Sequence, residues 1–175
     1  MKFLLIFLNF LAFSQAAKIL AIFQLPYLSH HRVYEKIVQE LLNRGHELTV
    51  FSCFEMAPHS NLTLHLFENS VLIDSKFPNF VEYKMKELNP LYYTLVYDSI
   101  RYFEITKDQL QHSEIQNIFS DRQKLKFDLI LMECLFCQFE ILADIFDCPI
   151  VRIYAAEASS FVHRDFGNAV NPAVH

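Results

Sequence analysis

Residues 18–51 combine two hydrophobic periodicities that restrict the fold to an alternating arrangement of strands and helices. The continuous apolar run Lys18–Phe23 predicts a buried parallel strand. Apolar residues then recur at helical spacing from Val33 to Leu42, and His46–Phe51 predicts a second strand. Ser29 suits the N-cap of this helix and Gly45 its C-terminal stop. At about 35 residues, the unit has the length of a right-handed βαβ crossover.

The same rhythm returns near the end of the chain. Phe127–Met132 predicts a buried strand, Phe139–Phe146 a short amphipathic helix and Pro149–Tyr154 a further strand. We therefore predict one α/β domain over residues 17–175, with a Rossmann-like, mainly parallel sheet and flanking helices.

The middle of the chain predicts a helical insertion into this domain. Leu64–Phe67 is a candidate short strand. Phe80–Leu88 and Tyr92–Phe103 have helical character and are separated at Asn89-Pro90, and Gln109–Phe119 predicts another helix.

Residues 1–16 have the features of a secretory signal peptide. Lys2 supplies a positive charge, Phe3–Phe13 is almost wholly apolar, and small residues follow at Ser14 and Ala16. The apolar stretch is too short to span a membrane, so we expect a secreted or lumenal chain. In that compartment the sequon at Asn61, which precedes Leu62 and Thr63, is a candidate glycosylation site.

Composition argues against two classes of ligand. The chain has only two glycines among its 175 residues, and the first strand-to-helix loop, Gln24–Ser29, contains none. Phosphate binding at such a loop needs close backbone approach, which favours glycine. A net charge of −5, without a basic cluster, also argues against a nucleic-acid partner.

Two residues at predicted strand ends form a candidate catalytic pair. His30 follows the first strand, and Glu133 follows Phe127–Met132, so parallel strands would place both at one edge of the sheet. A neutral imidazole can act as a general base, and a carboxylate can orient it and stabilise its charged form. The pattern alone leaves a solvated helix-start role open for His30 or His31, and a helix-start role for Glu133.

Cys134 and Cys137 form a C-x-x-C spacing with three possible roles. A zinc site would need a second ligand pair, which the sequence does not offer. A thiol oxidoreductase pair would lie near a helix N-terminus with lowered thiol pKa values, and two buried free thiols are the third possibility.

The chain resembles the N-terminal half of the animal UDP-glycosyltransferases, the UDP-glucuronosyltransferase superfamily, and most closely the insect members. The segments that carry the resemblance are Ala17–Phe23, Ser29–His31, Leu41–Val50, Phe127–Ile130 with Glu133, Ser159–His163, Gly167–Asn168 and Pro172. The resemblance implies the N-terminal domain of a GT-B fold, with His30 as the catalytic base and Glu133 where the family usually has aspartate.

The resemblance also implies the reaction and the partners. A sugar would pass from a UDP-sugar to a hydroxyl of a small lipophilic acceptor, without a further cofactor or metal. The UDP-sugar would be bound mainly by a C-terminal half. We expect that half, and the family's C-terminal membrane anchor, to be absent from this chain. We therefore expect the chain alone to be inactive in sugar transfer. The resemblance also implies a location in the endoplasmic reticulum. The alternatives are a truncated, non-catalytic binder of lipophilic molecules and a lumenal thiol oxidoreductase.

Overall fold

A computed structural model describes residues 16–77, 98–133 and 138–155, together with residues 96, 163, 164 and 167. The predicted signal peptide lies outside these residues, except for Ala16. The predicted helix Phe80–Leu88, Cys134 and Cys137 also lie outside them.

The described residues form a five-stranded sheet in which every strand pair is parallel. Its order is β3-β2-β1-β4-β5, which is a Rossmann-like arrangement and confirms the predicted α/β fold class. The strands are β1 (Lys18–Phe23), β2 (Glu47–Ser52), β3 (Leu62–Leu66), β4 (Leu129–Glu133) and β5 (Ile150–Ile153).

Helices cover both faces of this sheet. They are α1 (Leu28–Asn43), α2 (Glu68–Asp74), α3 (Ser99–Leu110), α4 (Ser113–Ser120) and α5 (Ile141–Phe146). None of the helices in the described ranges is long and apolar enough to cross a membrane.

Alternation along β1 divides the core into two halves. Ile19, Ala21 and Phe23 pack with buried residues of α1, including Tyr34 and Val38. The intervening residues face the other side of the sheet, where α4 and α5 supply the apolar partners. That second cluster contains Leu20, Ile22, Phe51, Ile130, Met132, Ile115, Ile118, Phe139 and Leu142. Because successive residues of β1 are buried on both sides, its sequence is continuously apolar.

Both ends of α1 test the sequence prediction. At the C-terminal end, Gly45 has φ +87°, and its N–H donates to Leu42 O while His46 N–H donates to Leu41 O. This pair of bonds is a Schellman motif, which confirms Gly45 as the stop.

The predicted N-cap of α1 is wrong. The helix begins at Leu28, so Ser29 is its second residue and the extended Tyr27 occupies the cap position without a capping side chain. Tertiary contacts of the Tyr27 side chain, described below, fix the start of α1 instead of the local hydrogen bond that a serine cap would supply.

Other boundaries differ by one or a few residues, and one helix escaped prediction. Glu133 belongs to β4 itself, and Gln109 lies in α3 because the next helix begins only at Ser113. The missed helix is α2, which has only seven residues, and its apolar residues Val71, Leu72 and Ile73 are consecutive instead of recurring at helical spacing. Its packing against α3, rather than its own pattern, supports it.

Candidate functional site

The strand order places a topological switch point beside β1. Both β2 and β4 are its neighbours, but α1 covers one face of the sheet and α5 the other. The connections therefore diverge at the carboxyl ends of β1 and β4, and open α/β sheets bind ligands at such a switch point. The register pairs Ile22 with Met132, which puts Glu133 next to Phe23 at this edge.

Glu133 is a fully buried carboxylate held by three donors from the β1–α1 segment. Its Oε1 accepts from the ring nitrogen Nδ1 of His30 at 2.7 Å and from the hydroxyl of Tyr34 at 2.7 Å. Its Oε2 accepts from the backbone N–H of Leu25 at 3.1 Å. A buried charge is strongly unfavourable unless it is hydrogen-bonded and paired, and these donors offset that penalty.

His30 is in the first turn of α1 and keeps a partly exposed ring. Its side chain is 15% exposed, against 1% for Glu133. The rings of Tyr27 and Tyr34 meet it edge-on, at centroid distances of 5.6 and 6.4 Å. The His30 side chain is thus fixed by contacts and is not freely solvated. The Glu133 side chain, although longer than the aspartate usual in the resembled family, is in hydrogen-bonding contact with it.

The carboxylate determines which nitrogen of His30 carries the proton. An ionised carboxylate only accepts hydrogen bonds, so Nδ1 is the protonated nitrogen of the neutral ring. The lone pair is then on Nε2, which no described residue contacts through a hydrogen bond. A neutral imidazole in this tautomer can accept a proton from a bound hydroxyl group.

The adjacent His31 has a different environment. It is buried next to the end of β2, where its Nδ1 lies 3.4 Å from Ser52 Oγ. Its ring packs against the ring of Phe54, at a centroid distance of 5.1 Å. Burial lowers the pKa of this imidazole, which favours its neutral form. His31 therefore has a packing role, contrary to the solvated role considered from the sequence.

A second polar cluster fixes the end of the β1–α1 loop. Arg101 of α3 is buried and donates to the Tyr27 hydroxyl at 3.0 Å, with the carboxylates of Asp74 and Asp98 at 3.7 and 3.6 Å. Burial raises the pKa of Tyr27, so its phenol stays protonated and neutral at physiological pH. These contacts connect the helical insertion to the residue that precedes α1.

The beginning of the loop is also held by α3. The Gln109 side-chain amide donates to Gln24 O at 2.7 Å and to Ser70 Oγ at 3.0 Å. The Cys53 thiol donates to the same Gln24 carbonyl at 3.3 Å. Burial raises the pKa of Cys53 to about 12, so the thiol remains protonated and unreactive at neutral pH.

The amino ends of the strands carry a separate cavity of about 510 Å³. Its lining includes Lys18, Asn61 and Lys126, which lie at the opposite end of the strands from His30 and Glu133. Asn61 is half-buried in the turn before β3, and Thr63 of the same sequon is exposed.

No group of three His, Cys, Asp or Glu side chains that could hold a metal ion occurs in the described ranges. Cys134 and Cys137 lie outside those ranges, so the redox hypothesis stays an untested prediction.

Comparison with known proteins gives one informative similarity. The chain is similar to a UDP-glucuronosyltransferase. This relative, UDP-glucuronosyltransferase 2B33 of Macaca mulatta, is 27% identical over a 140-residue alignment covering 70% of the chain. The chain matches only about a quarter of that relative's length, 26%. No protein-family profile matches the chain, and no solved structure matches it either.

The similarity to a UDP-glucuronosyltransferase supports a glycosyltransferase relationship and agrees with the Rossmann-like sheet. It leaves the insect-type assignment and the half-enzyme interpretation as predictions. It also does not address the roles of His30 and Glu133, which depend on the geometry above.

Three residues that build this site have no recognisable motif in the sequence. Tyr34 has the spacing of a core position of α1, although its hydroxyl donates to Glu133. Leu25 contributes through its backbone, and Arg101 through a buried guanidinium group on α3. One sequence feature does point to Tyr34: it lies four residues after the candidate base His30, and residues at this spacing share a helix face.

Proposed function

We propose that this chain is the acceptor-binding half of a UDP-glycosyltransferase, in which His30 is the general base and Glu133 its partner. The observation that carries the proposal is the 2.7 Å contact between His30 Nδ1 and the buried Glu133 carboxylate at the switch point of the sheet. The similarity to a UDP-glucuronosyltransferase supports sugar transfer as the reaction.

The proposed mechanism is a direct displacement. His30 Nε2 removes the proton from a hydroxyl of a small lipophilic acceptor as that oxygen attacks the anomeric carbon of a UDP-sugar. The new carbon–oxygen bond forms while the bond to the UDP phosphate oxygen breaks, so UDP leaves with inversion. The reaction requires the UDP-sugar as co-substrate and no further cofactor.

Glu133 acts on the charge that develops at His30. Proton uptake converts the imidazole to imidazolium, and the buried carboxylate at 2.7 Å stabilises that cation. The same contact fixes the tautomer and orientation of the ring before the reaction. The glycine-free loop Gln24–Tyr27 supports an acceptor role for this half, with the sugar diphosphate bound by a second domain.

Binding of a phenol to the chain provides the direct test of the acceptor site. We expect a lipophilic phenol such as 4-methylumbelliferone to shift the ring nitrogen resonances of His30 saturably in an NMR titration, with Nε2 moving more than Nδ1. The exposed His59 is the internal control, because it lies at the other end of the sheet. Saturable binding that leaves His30 unperturbed, or no binding, would contradict the proposal.

We further propose a secretory, lumenal location, in which Asn61 carries an N-linked glycan. The site lies in a turn at the amino ends of the strands, so a glycan there would leave the His30 edge free. Secretory expression should yield a chain whose gel mobility increases after treatment with an N-glycan-removing enzyme. Asn61→Gln and Thr63→Ala should each abolish that change, and a wild-type chain unaffected by the enzyme would show that the site is unused.

A further inference from the structure

The Glu133 carboxylate accepts a hydrogen bond from a side chain that has no part in the proton transfer proposed above. The Tyr34 hydroxyl donates to Oε1 at 2.7 Å, the oxygen that His30 Nδ1 also contacts at 2.7 Å. Tyr34 lies one helical turn after His30 on α1, and residues four apart project from the same face. One carboxylate oxygen therefore bridges two side chains of a single helix.

The tyrosine ring is fixed relative to the edge of the sheet. Tyr34 is 1% exposed, and its ring stacks on Phe23 with a centroid distance of 4.3 Å and an interplanar angle of 8°. Phe23 is the last residue of β1, two residues before the Leu25 N–H that donates to Oε2. A buried tyrosine hydroxyl needs a polar partner, and here that partner is the carboxylate beside the proposed base.

We propose that Tyr34 is a positioning residue for the His30 base and that it acts through Glu133. The inference rests on the proposed function of the same site and adds a residue to it. Tyr34 holds Oε1 in the position that faces Nδ1. By donating to the ionised carboxylate, it also lowers the affinity of the His30–Glu133 pair for an additional proton. Both effects favour the neutral base, with its lone pair on Nε2, over the imidazolium.

Several other titratable side chains lie around His30 and can influence its titration. Glu133 contacts it from β4, Tyr27 from the preceding loop and Tyr34 from the next turn of α1. Arg101 of α3 reaches the Tyr27 hydroxyl. Tyr102, also on α3, hydrogen-bonds to Tyr27 and so belongs to the neighbouring cluster.

The test is an NMR pH titration of the His30 ring in the 175-residue chain. Tyr34→Phe keeps the stack on Phe23 and removes one donor to the carboxylate. Without this donor, more of the negative charge of the carboxylate faces the His30 ring and stabilises the imidazolium, so we expect the titration midpoint of His30 to rise. Tyr102→Phe, which removes a phenol hydroxyl from the neighbouring cluster, should leave the midpoint at its wild-type value.

A second variant changes the same hydrogen bond in the opposite direction. Site-specific 3-fluorotyrosine at position 34 retains the ring and hydroxyl but is a stronger donor, so the midpoint should fall. It also keeps the test available if Tyr34→Phe does not fold. In a Glu133→Gln background, Tyr34→Phe should no longer move the midpoint, because the carboxylate that transmits the effect is gone.

An unchanged midpoint in Tyr34→Phe would overturn the inference. An equal shift in the Glu133→Gln background would also overturn it, since Tyr34 would then act on His30 by another route. The titration needs neither acceptor nor UDP-sugar. A failure of phenol binding or sugar transfer would therefore count against the proposed function without changing this result.

Discussion

Replacing His30 with alanine should lower kcat for sugar transfer by ~100- to 10,000-fold, the range that a positioned general base typically contributes. The proposed role requires a lone pair on Nε2, and no described residue nearby replaces it. Transfer is to be measured in a two-half protein, in which residues 17–175 precede the sugar-nucleotide-binding domain of an active UDP-glycosyltransferase.

His30→Asn separates the base from the structural contact. An asparagine amide nitrogen lies near the position of Nδ1 and can still donate to Glu133, but the side chain has no equivalent of Nε2. We expect His30→Asn to be as impaired as His30→Ala, while the exposed His59→Ala retains wild-type kcat. Recovery of activity in His30→Asn would show that the ring has only a structural role.

His31→Ala should keep most of the activity once folding is verified, since that side chain is buried against Ser52 and Phe54.

Glu133→Gln should lower kcat by up to about 10,000-fold while preserving the size of the side chain. An amide cannot stabilise the imidazolium as a carboxylate does. If its oxygen faces His30, its NH2 group meets the Leu25 N–H, and two donors then oppose each other. If it turns over, the NH2 group faces Nδ1 and favours the tautomer with the proton on Nε2, which cannot act as a base.

The matched control for this substitution is Glu47→Gln. Glu47 is an exposed carboxylate 3.5 Å from Lys18 at the amino ends of the strands, and exposed ion pairs contribute little. Its kcat should stay at the wild-type value. A Glu133→Gln enzyme with wild-type kcat would contradict any role for the carboxylate in proton transfer.

The regular part of the fold could be predicted because its pattern is local. The apolar runs at Lys18–Phe23 and Phe127–Met132, with the helical spacing between Val33 and Leu42, predict strands and a helix without knowledge of the partners. Parallel strands then bring His30 and Glu133 to one edge, and the structure has them in contact. Their catalytic roles remain a proposal.

The parts that escaped prediction depend on tertiary contacts. The start of α1 follows from Arg101 holding Tyr27, and α2 is supported by its packing on α3. Tyr34 has the spacing of a core residue. Its contact with Glu133 arises only from the register of β4 against β1, in which Met132 lies opposite Ile22. No local pattern encodes that register.

A double-mutant cycle on kcat tests most directly whether His30 and Glu133 act as one unit. The cycle compares the two-half protein with His30→Ala, Glu133→Gln and the double variant, with folding verified for each. Residues that share one task show strongly non-additive losses. We predict that the double variant is barely slower than His30→Ala alone. Losses that multiply, so that the double variant is slower by the product of the two single effects, would contradict it.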